Sequence, residues 1–245
     1  MRIVACAVFK GGTGKTTAAV NLAAALSLLN RRVLLIDTDT QGQAGKHLGM
    51  SPTAGLLSFV DGRQDAIEEA RPYLDILTGG PGLAGLKTEL ARRPIGGERA
   101  ISEALTAVNG QYDYVILDTG PGFDALSIAA LFAAGEILAP VKMEPLAVDG
   151  LILFLQQLGD IQKYHDVKLS YILPSGLDRR VAQTDEIYQQ LLQHFDGLVC
   201  DPIRYNVRLS EAAGHKQHIF EYAPDSNGAA DFATLTQRVM DNEQA

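Results

Sequence analysis

Short apolar runs recur along the chain at Ile3–Val8, Val33–Ile36, Leu74–Leu77, Tyr114–Leu117, Ile137–Val141, Leu169–Leu173 and Leu198–Ile203. Several are unbroken rather than alternating, the pattern of strands buried on both faces of a parallel sheet. Between them, helical patterns run over Lys15–Leu29, Leu83–Arg92, Glu98–Val108, Asp124–Ala134, Leu146–Tyr164, Val181–Phe195, Ser210–Ala213 and Gly228–Met240. Strand and helix in alternation predict a doubly wound α/β fold, a mostly parallel β-sheet flanked by helices with right-handed crossovers. Gly79-Gly80-Pro81-Gly82 and Pro94-Ile95-Gly96-Gly97 read as loops rather than linkers, so residues 1–245 are expected to form a single domain. Ligands of such sheets bind outside the carboxyl ends of the strands. Polar residues gather there: a glycine-rich turn after the first run, Asp37-Thr38-Asp39 after the second, and Asp118-Thr119-Gly120 after the fourth.

Composition narrows the class. Hydrophobic residues make up 47% of 245, enough for a substantial core. Two cysteines, Cys6 and Cys200, argue against a disulfide framework, and neither lies in a C-x-x-C. The N-terminus enters a strand directly, without a secretory signal, and no apolar run spans a bilayer, so a cytoplasmic location is expected. The formal charge of −8, from 21 basic and 29 acidic residues, lends no support to nucleic-acid binding beyond a local patch. The five histidines, including His215 and His218, read as solvated surface residues rather than metal ligands.

Candidate chemistry concentrates in Phe9-Lys10-Gly11-Gly12-Thr13-Gly14-Lys15-Thr16-Thr17, between the first strand and the first helix. Glycines there let backbone N–H groups converge on one concavity, and the helix N-terminus adds its positive end. Lys15 is placed to reach the β- and γ-phosphates of a nucleoside triphosphate, and the Thr16 hydroxyl to bind Mg²⁺. Asp118 closes an apolar strand beside this loop, and its carboxylate suits the same hard cation, acting through a water. Asp37 and Asp39, two apart on a strand, are expected to point the same way, towards the γ-phosphate. Lys142, just after the fifth run, is read as a surface lysine and left outside the core site.

The loop departs from G-x-x-x-x-G-K-[ST], since Phe9 holds the first glycine's place and Lys10 precedes the glycine pair. K-G-G-x-G-K-[ST] is the deviant Walker A box, and the chain here resembles the ParA/MinD family of P-loop ATPases. Asp37-Thr38-Asp39-Thr40-Gln41-Gly42 is similar to that family's D-x-D-P-Q-G, with Thr40 in place of proline. Ile203-Arg204-Tyr205-Asn206-Val207-Arg208-Leu209-Ser210-Glu211-Ala212 is similar to its I-P-R-N-V-R-L-S-E-A, with Arg204 for proline and Tyr205 for arginine.

The resemblance implies an ATP- and Mg²⁺-dependent ATPase in which Lys10, Lys15 and Asp39 are catalytic. Asp39 would polarise the attacking water, and Lys10 would cross a nucleotide-sandwich homodimer to the partner's phosphates. It places nucleotide contacts at Gly11, Gly12, Thr13, Gly14, Thr16, Thr17 and Asp118, with Pro174, Ser175 and Arg204 flanking the adenine. Arg180 and Arg208, with Arg179 beside them, match positions that touch non-specific DNA in ParA-like dimers. A nucleoid-associated cycle is implied, with a ParB-like or cargo-adaptor partner stimulating hydrolysis to position a plasmid, a chromosome origin or a protein organelle such as a carboxysome. The acidic end Arg238–Ala245 lacks the basic amphipathic membrane helix of MinD-like proteins, so no membrane partner is expected. The rival readings are a MinD-like regulator on a membrane or protein scaffold, a metallocluster carrier ATPase, and a nucleotide-gated binding module with negligible turnover.

Overall fold

The computed structural model describes residues 1–93, 95–178 and 180–242. In chain order the elements are β1 (Arg2–Cys6), α1 (Lys15–Leu28), β2 (Val33–Asp37), α2 (Gln43–His47), α3 (Gly55–Val60), β3 (Glu68–Arg71), β4 (Leu74–Leu77) and α4 (Leu83–Arg92). They continue with α5 (Ala100–Leu105), β5 (Tyr114–Asp118), α6 (Ala125–Ala133), β6 (Glu136–Lys142), α7 (Ala147–Ile161) and β7 (Lys168–Leu177). The last are α8 (Ala182–His194), β8 (Ile203–Arg204), α9 (Val207–Gly214), α10 (Ile219–Tyr222) and α11 (Asn227–Asp241). One eight-stranded sheet has the order β3-β4-β2-β5-β1-β6-β7-β8. Every neighbouring pair is parallel except β3 with β4. This is the α/β architecture that the alternating pattern predicts.

The unbroken apolar runs have a direct cause. Val33 and Leu35 of β2 and Tyr114 and Ile116 of β5 face a cluster that includes α1 and α11. Leu34 and Ile36, Val115 and Leu117 face the opposite cluster, which includes α4 to α8. A strand with helices on both sides has no solvent face and needs no polar alternation. Helix α1 is apolar on nearly all sides because it is enclosed: Ala18 to Ser27 are buried throughout. Its one internal amide, Asn21, donates to the Thr17 carbonyl at 2.8 Å and accepts from the Ile219 N–H at 2.8 Å. That pair of bonds ties α1 to the start of α10.

Several elements differ from the sequence expectation. The edge strand β3, Glu-Glu-Ala-Arg, carries no apolar face and so gives no strand signal. Helices α2, α3 and α10 have 5, 6 and 4 residues, too few to display a period. The run Leu198–Ile203 pairs only at Val199, through a bridge to Ile172, and again at Ile203. Pro202, which has no N–H for a ladder, separates the two. Expected helix Glu98–Val108 is a short 3₁₀ turn, α5 and a second 3₁₀ turn. His218 is not a solvated histidine: it is 4% exposed and caps α10, with the Glu221 carboxylate accepting its backbone N–H. His215 is exposed and stacks on Tyr222.

Candidate nucleotide and magnesium site

The centre of the sheet brings three strand ends together. Cys6 of β1 stands beside Asp118 of β5, and Asp118 stands beside Asp37 of β2. The threonine after each aspartate locks this alignment. Thr38 Oγ1 donates to the Asp118 carbonyl at 2.9 Å, and Thr119 Oγ1 donates to the Cys6 carbonyl at 2.8 Å. From Cys6 the chain turns through Phe9–Gly14 into α1. Gly14, the N-cap of α1, has φ 96°, a conformation that a Cβ would strain. The turn therefore opens the first N–H groups of α1 without a side chain in front of them, which is the requirement for holding phosphate.

Phe9 fills the place of the missing glycine with an aromatic anchor. Its ring makes edge contacts with Phe123 and Phe154, each at 4.9 Å between centroids. Its carbonyl accepts the Gly122 N–H at 2.9 Å. The loop is thus clamped to both the segment after β5 and helix α7. Lys10 is exposed, with its side chain passing over Gly150 of α7. Lys15 is 6% exposed, and its ammonium donates to the Lys10 carbonyl at 2.9 Å. Burial lowers the Lys15 pKa, while Asp118 and Asp39 pull it back up.

Asp118 is fully buried, and neither carboxylate oxygen has a hydrogen-bond partner. Burial and the Asp37 charge raise its pKa well above the ordinary value; the Thr16 hydroxyl and Lys15 ammonium oppose this. Buried polar atoms are almost always satisfied. Two orphaned oxygens, beside a threonine hydroxyl at a helix N-terminus, fit a divalent cation with oxygen ligands.

Asp37 and Asp39 have different partners, and only Asp37 lies within the strand on which the parity expectation rests. The chain leaves the strand after Asp37, so the period of two no longer applies. The Asp37 carboxylate accepts the N–H groups of Asp39 and Ala44, each at 2.9 Å, and anchors the start of α2. Burial raises its pKa, and the three backbone N–H groups at Asp39, Gly45 and Ala44 lower it. Asp39 remains partly exposed, accepts the Gln41 N–H at 2.9 Å, and packs against the Gly120 backbone. Gly79 permits this turn, since a Cβ there would stand 2.5 Å from the Asp39 carbonyl and 2.7 Å from Asp37 Oδ1. A cavity of about 240 Å³ opens beside Asp39, bounded by Thr38, Gly120 and Asp124.

A larger cavity of about 530 Å³ adjoins the loop on its other side, lined by Gly12, Thr13, Gly14 and Thr17 together with Ser175, Arg204, Tyr205, Asn206, Leu209 and Phe232. Its size and partly apolar lining suit a nucleoside. The expected adenine contacts need revision. Pro174 is buried within β7 opposite Val141 and does not line the cavity. Ser175 lines it, but its hydroxyl donates to the Thr13 carbonyl at 2.7 Å. Arg204 also lines it, with its guanidinium committed to Asp231, Nη2 to Oδ1 at 2.6 Å. Tyr205 and Asn206, which no nucleotide role had singled out, also line the wall; Tyr205 is exposed, and the Asn206 side-chain oxygen caps α9 by accepting the Arg208 N–H at 2.9 Å. For Tyr205 the signal was its departure from the family pattern; Asn206 follows that pattern. Lys142, set aside from sequence as a surface lysine, is exposed yet lines the same cavity.

Arg180 and Arg208, expected on DNA, line neither of the two cavities beside the loop. Arg180 is paired with Asp178 at 2.7 Å and Arg208 with Glu211 at 2.8 Å, both at the surface. Arg179 lies outside the described residues. Cys6 and Cys200 are both buried thiols. Among the described residues no helix is long and apolar enough to cross a membrane.

Comparison with known proteins agrees with this arrangement. A family described as an AAA domain matches residues 1–171. The sporulation initiation inhibitor protein Soj of Bacillus subtilis is 34% identical, over 98% of this chain and 99% of its own. The chromosome-partitioning ATPase Soj of Thermus thermophilus is 35% identical, over 98% and 96%. Among solved structures, cobyrinic acid a,c-diamide synthase from Mycobacterium smegmatis, with bound ADP and magnesium, superposes with a TM-score of 0.86. It is 27% identical, covering 100% of this chain and 96% of that one.

Proposed function

This chain belongs to the ParA-like branch of the ParA/MinD ATPases, and from that premise we propose a DNA-tracking, dimerising cycle built on the site above. The protein is an ATPase that uses Mg²⁺ and converts ATP and water to ADP and phosphate, in the service of positioning or partition. The observation that carries the residue assignments is the convergence of Lys10, Lys15, Asp39 and the unpartnered Asp118 on one glycine loop. Gly11 to Thr17 cradle the phosphates through backbone N–H groups, and Lys15 leaves the Lys10 carbonyl for the β- and γ-oxygens. Thr16 would hold Mg²⁺ directly and Asp118 through a water, and the bound ion would supply charge neutralisation for the transferred phosphoryl group. Asp39, fixed by the Gln41 N–H and backed by Gly120, orients the attacking water in the small cavity beside it. Phosphoryl transfer asks mainly for positioning and charge neutralisation, and these residues supply both. The base occupies the 530 Å³ cavity against Tyr205 and Asn206.

Lys10 reaches the phosphates of a second subunit in an ATP-bound homodimer. Its exposure supports this, as do the exposed apolar side chains nearby: Phe123, in edge contact with the neighbouring Phe9, and Leu146, which enters α7 just before the recess shared by Lys10 and Gly150. Apolar exposure beside a phosphate loop suits a subunit interface. Dimerisation would bring two copies of Arg180 and Arg208 to bear on one duplex. Exposed ion pairs such as theirs with Asp178 and Glu211 are weak and exchange readily for phosphate. A ParB-like or adaptor protein on the cargo would stimulate hydrolysis and release the track. The test is binding to a random-sequence duplex at fixed low salt with ATP, ADP or no nucleotide, using wild type and the Arg180→Glu/Arg208→Glu variant. ATP-dependent binding that the variant loses is expected. A dimer that forms with ATP yet ignores DNA would overturn the DNA-tracking cycle.

A further inference from the structure

Lys142 is the last residue of β6 and pairs in register with Ser175 of β7. Ser175 in turn donates to the Thr13 carbonyl, and its own carbonyl accepts the Met143 N–H at 3.0 Å. The end of β6 is therefore pinned against the phosphate loop from the side opposite Asp39 and Asp118. Two cavities meet at Lys142. One is the 530 Å³ cavity it shares with Gly12, Thr13 and Thr17; the other is the recess it shares with Lys10, Thr13 and Gly150. Its ammonium is held by the neighbouring Glu144 in a close ion pair. The hydrogen bond from Lys142 holds the Glu144 carboxyl below its usual range, and the Lys10 charge adds to this. Glu144 thus lies in the field of two cations, of which Lys142 lines the cavity that a nucleotide would fill and Lys10 the recess beside it.

We propose that Lys142 is a further nucleotide-binding residue, a cation that leaves Glu144 to contact the phosphates of bound ATP or ADP from the β6 side of the loop. This rests on the nucleotide reading of the same site. The physical reason is competition: an exposed lysine–carboxylate pair is weakly held, and a polyphosphate offers more negative charge at the same distance. Lysine suits the exchange, being a flexible point charge. Glu144 acts as a brake, since Lys142 must be detached before it serves the nucleotide.

The test is titration of fluorescent ATP and ADP, with Mg²⁺, against wild type, Lys142→Gln, Lys142→Arg, Glu144→Gln and Lys15→Ala over a range of salt. Lys142→Gln is expected to weaken both nucleotides roughly tenfold and to flatten the salt dependence, as loss of one charge-assisted contact would. Lys142→Arg should retain most of the affinity, and Glu144→Gln should tighten binding several-fold. Thermal melts of the unliganded variants are expected to match wild type, because the pair is at the surface. Unchanged affinity in Lys142→Gln, with binding abolished in Lys15→Ala, would overturn the proposal and leave the nucleotide reading intact. Weakening by Glu144→Gln to the same degree as Lys142→Gln would also overturn it. A wild-type protein that binds neither nucleotide would overturn the reading of the site itself.

Discussion

Replacing Asp118 with asparagine should stabilise the free protein while removing its response to Mg²⁺ and ATP. The carboxylate is fully buried, its two oxygens lack partners, and Asp37 and Asp39 add like charge. An unsatisfied buried polar group costs about 1–3 kcal/mol, and more when it is charged. Asparagine keeps the shape, removes the charge, and offers an N–H₂ to the carboxylates of Asp37 and Asp39. The expected gain is therefore about 1–3 kcal/mol, and a domain of this size gains roughly 2–4 °C in Tm for each. Wild type with Mg²⁺-ATP at a hundred times its Kd should be stabilised by about 2.7 kcal/mol, an increment that the variant lacks. The assay is a set of four melts, each protein with and without Mg²⁺-ATP. A variant melting several degrees below wild type without ligand, or one retaining the full ligand shift, would refute the assignment of those oxygens to a cation.

Lys15→Ala should abolish productive nucleotide binding, whereas Asp39→Ala should retain ATP binding and dimerisation but lose phosphate release in a steady-state assay; normal turnover in the Asp39 variant would sink its role. Gly120→Ala puts a Cβ 3.3 Å from the Asp39 carboxyl carbon, so turnover should fall roughly tenfold while ATP affinity stays within about threefold. Acid should weaken the fold through His47, which is buried with an unpartnered Nε2. Burial first, and then the neighbouring His218, push its pKa down to about 4, against the Gln217 carbonyl, which raises it. Between the unfolded value near 6.5 and the folded value, the unfolded chain binds the extra proton. The stability contributed at His47 therefore falls as pH drops through that window, by about 3 kcal/mol. Asp37 and Asp118, whose pKa values burial raises, work in the opposite direction, so the His47 part is read as the difference between wild type and His47→Gln. Urea midpoints at pH 7 and 4.5 measure this, and His47→Gln should flatten the difference; an unchanged slope would exonerate His47.

Some of this protein was settled by local chemistry and could be read directly. The loop Phe9–Thr17 is one continuous stretch, and its turn into α1 at the left-handed Gly14 is backbone geometry that consecutive residues specify among themselves. Helix α4 appears at its expected bounds, and the strands through β5 and β6 appear because an enclosed strand must be apolar throughout. What escaped depended on contacts distant in sequence. Asp37 and Asp39 part company because β2 ends at Asp37 and the N–H groups of Ala44 and Gly45 take the first carboxylate, an event that local spacing does not encode. His218 reads as a surface residue until α10 is seen packed on α1 through Asn21. Ser175 and Arg204 lie where the pattern expects them, but Thr13 and Asp231 claim their polar atoms. Lys142 gained a place at the site only because β6 and β7 end together beside the loop. The sequence by itself determined where a glycine turn opens the N-terminus of α1, since that needs only consecutive residues. The tertiary structure alone decided which side chains remain free to serve the site, because a polar atom's partners are set by what packs against it.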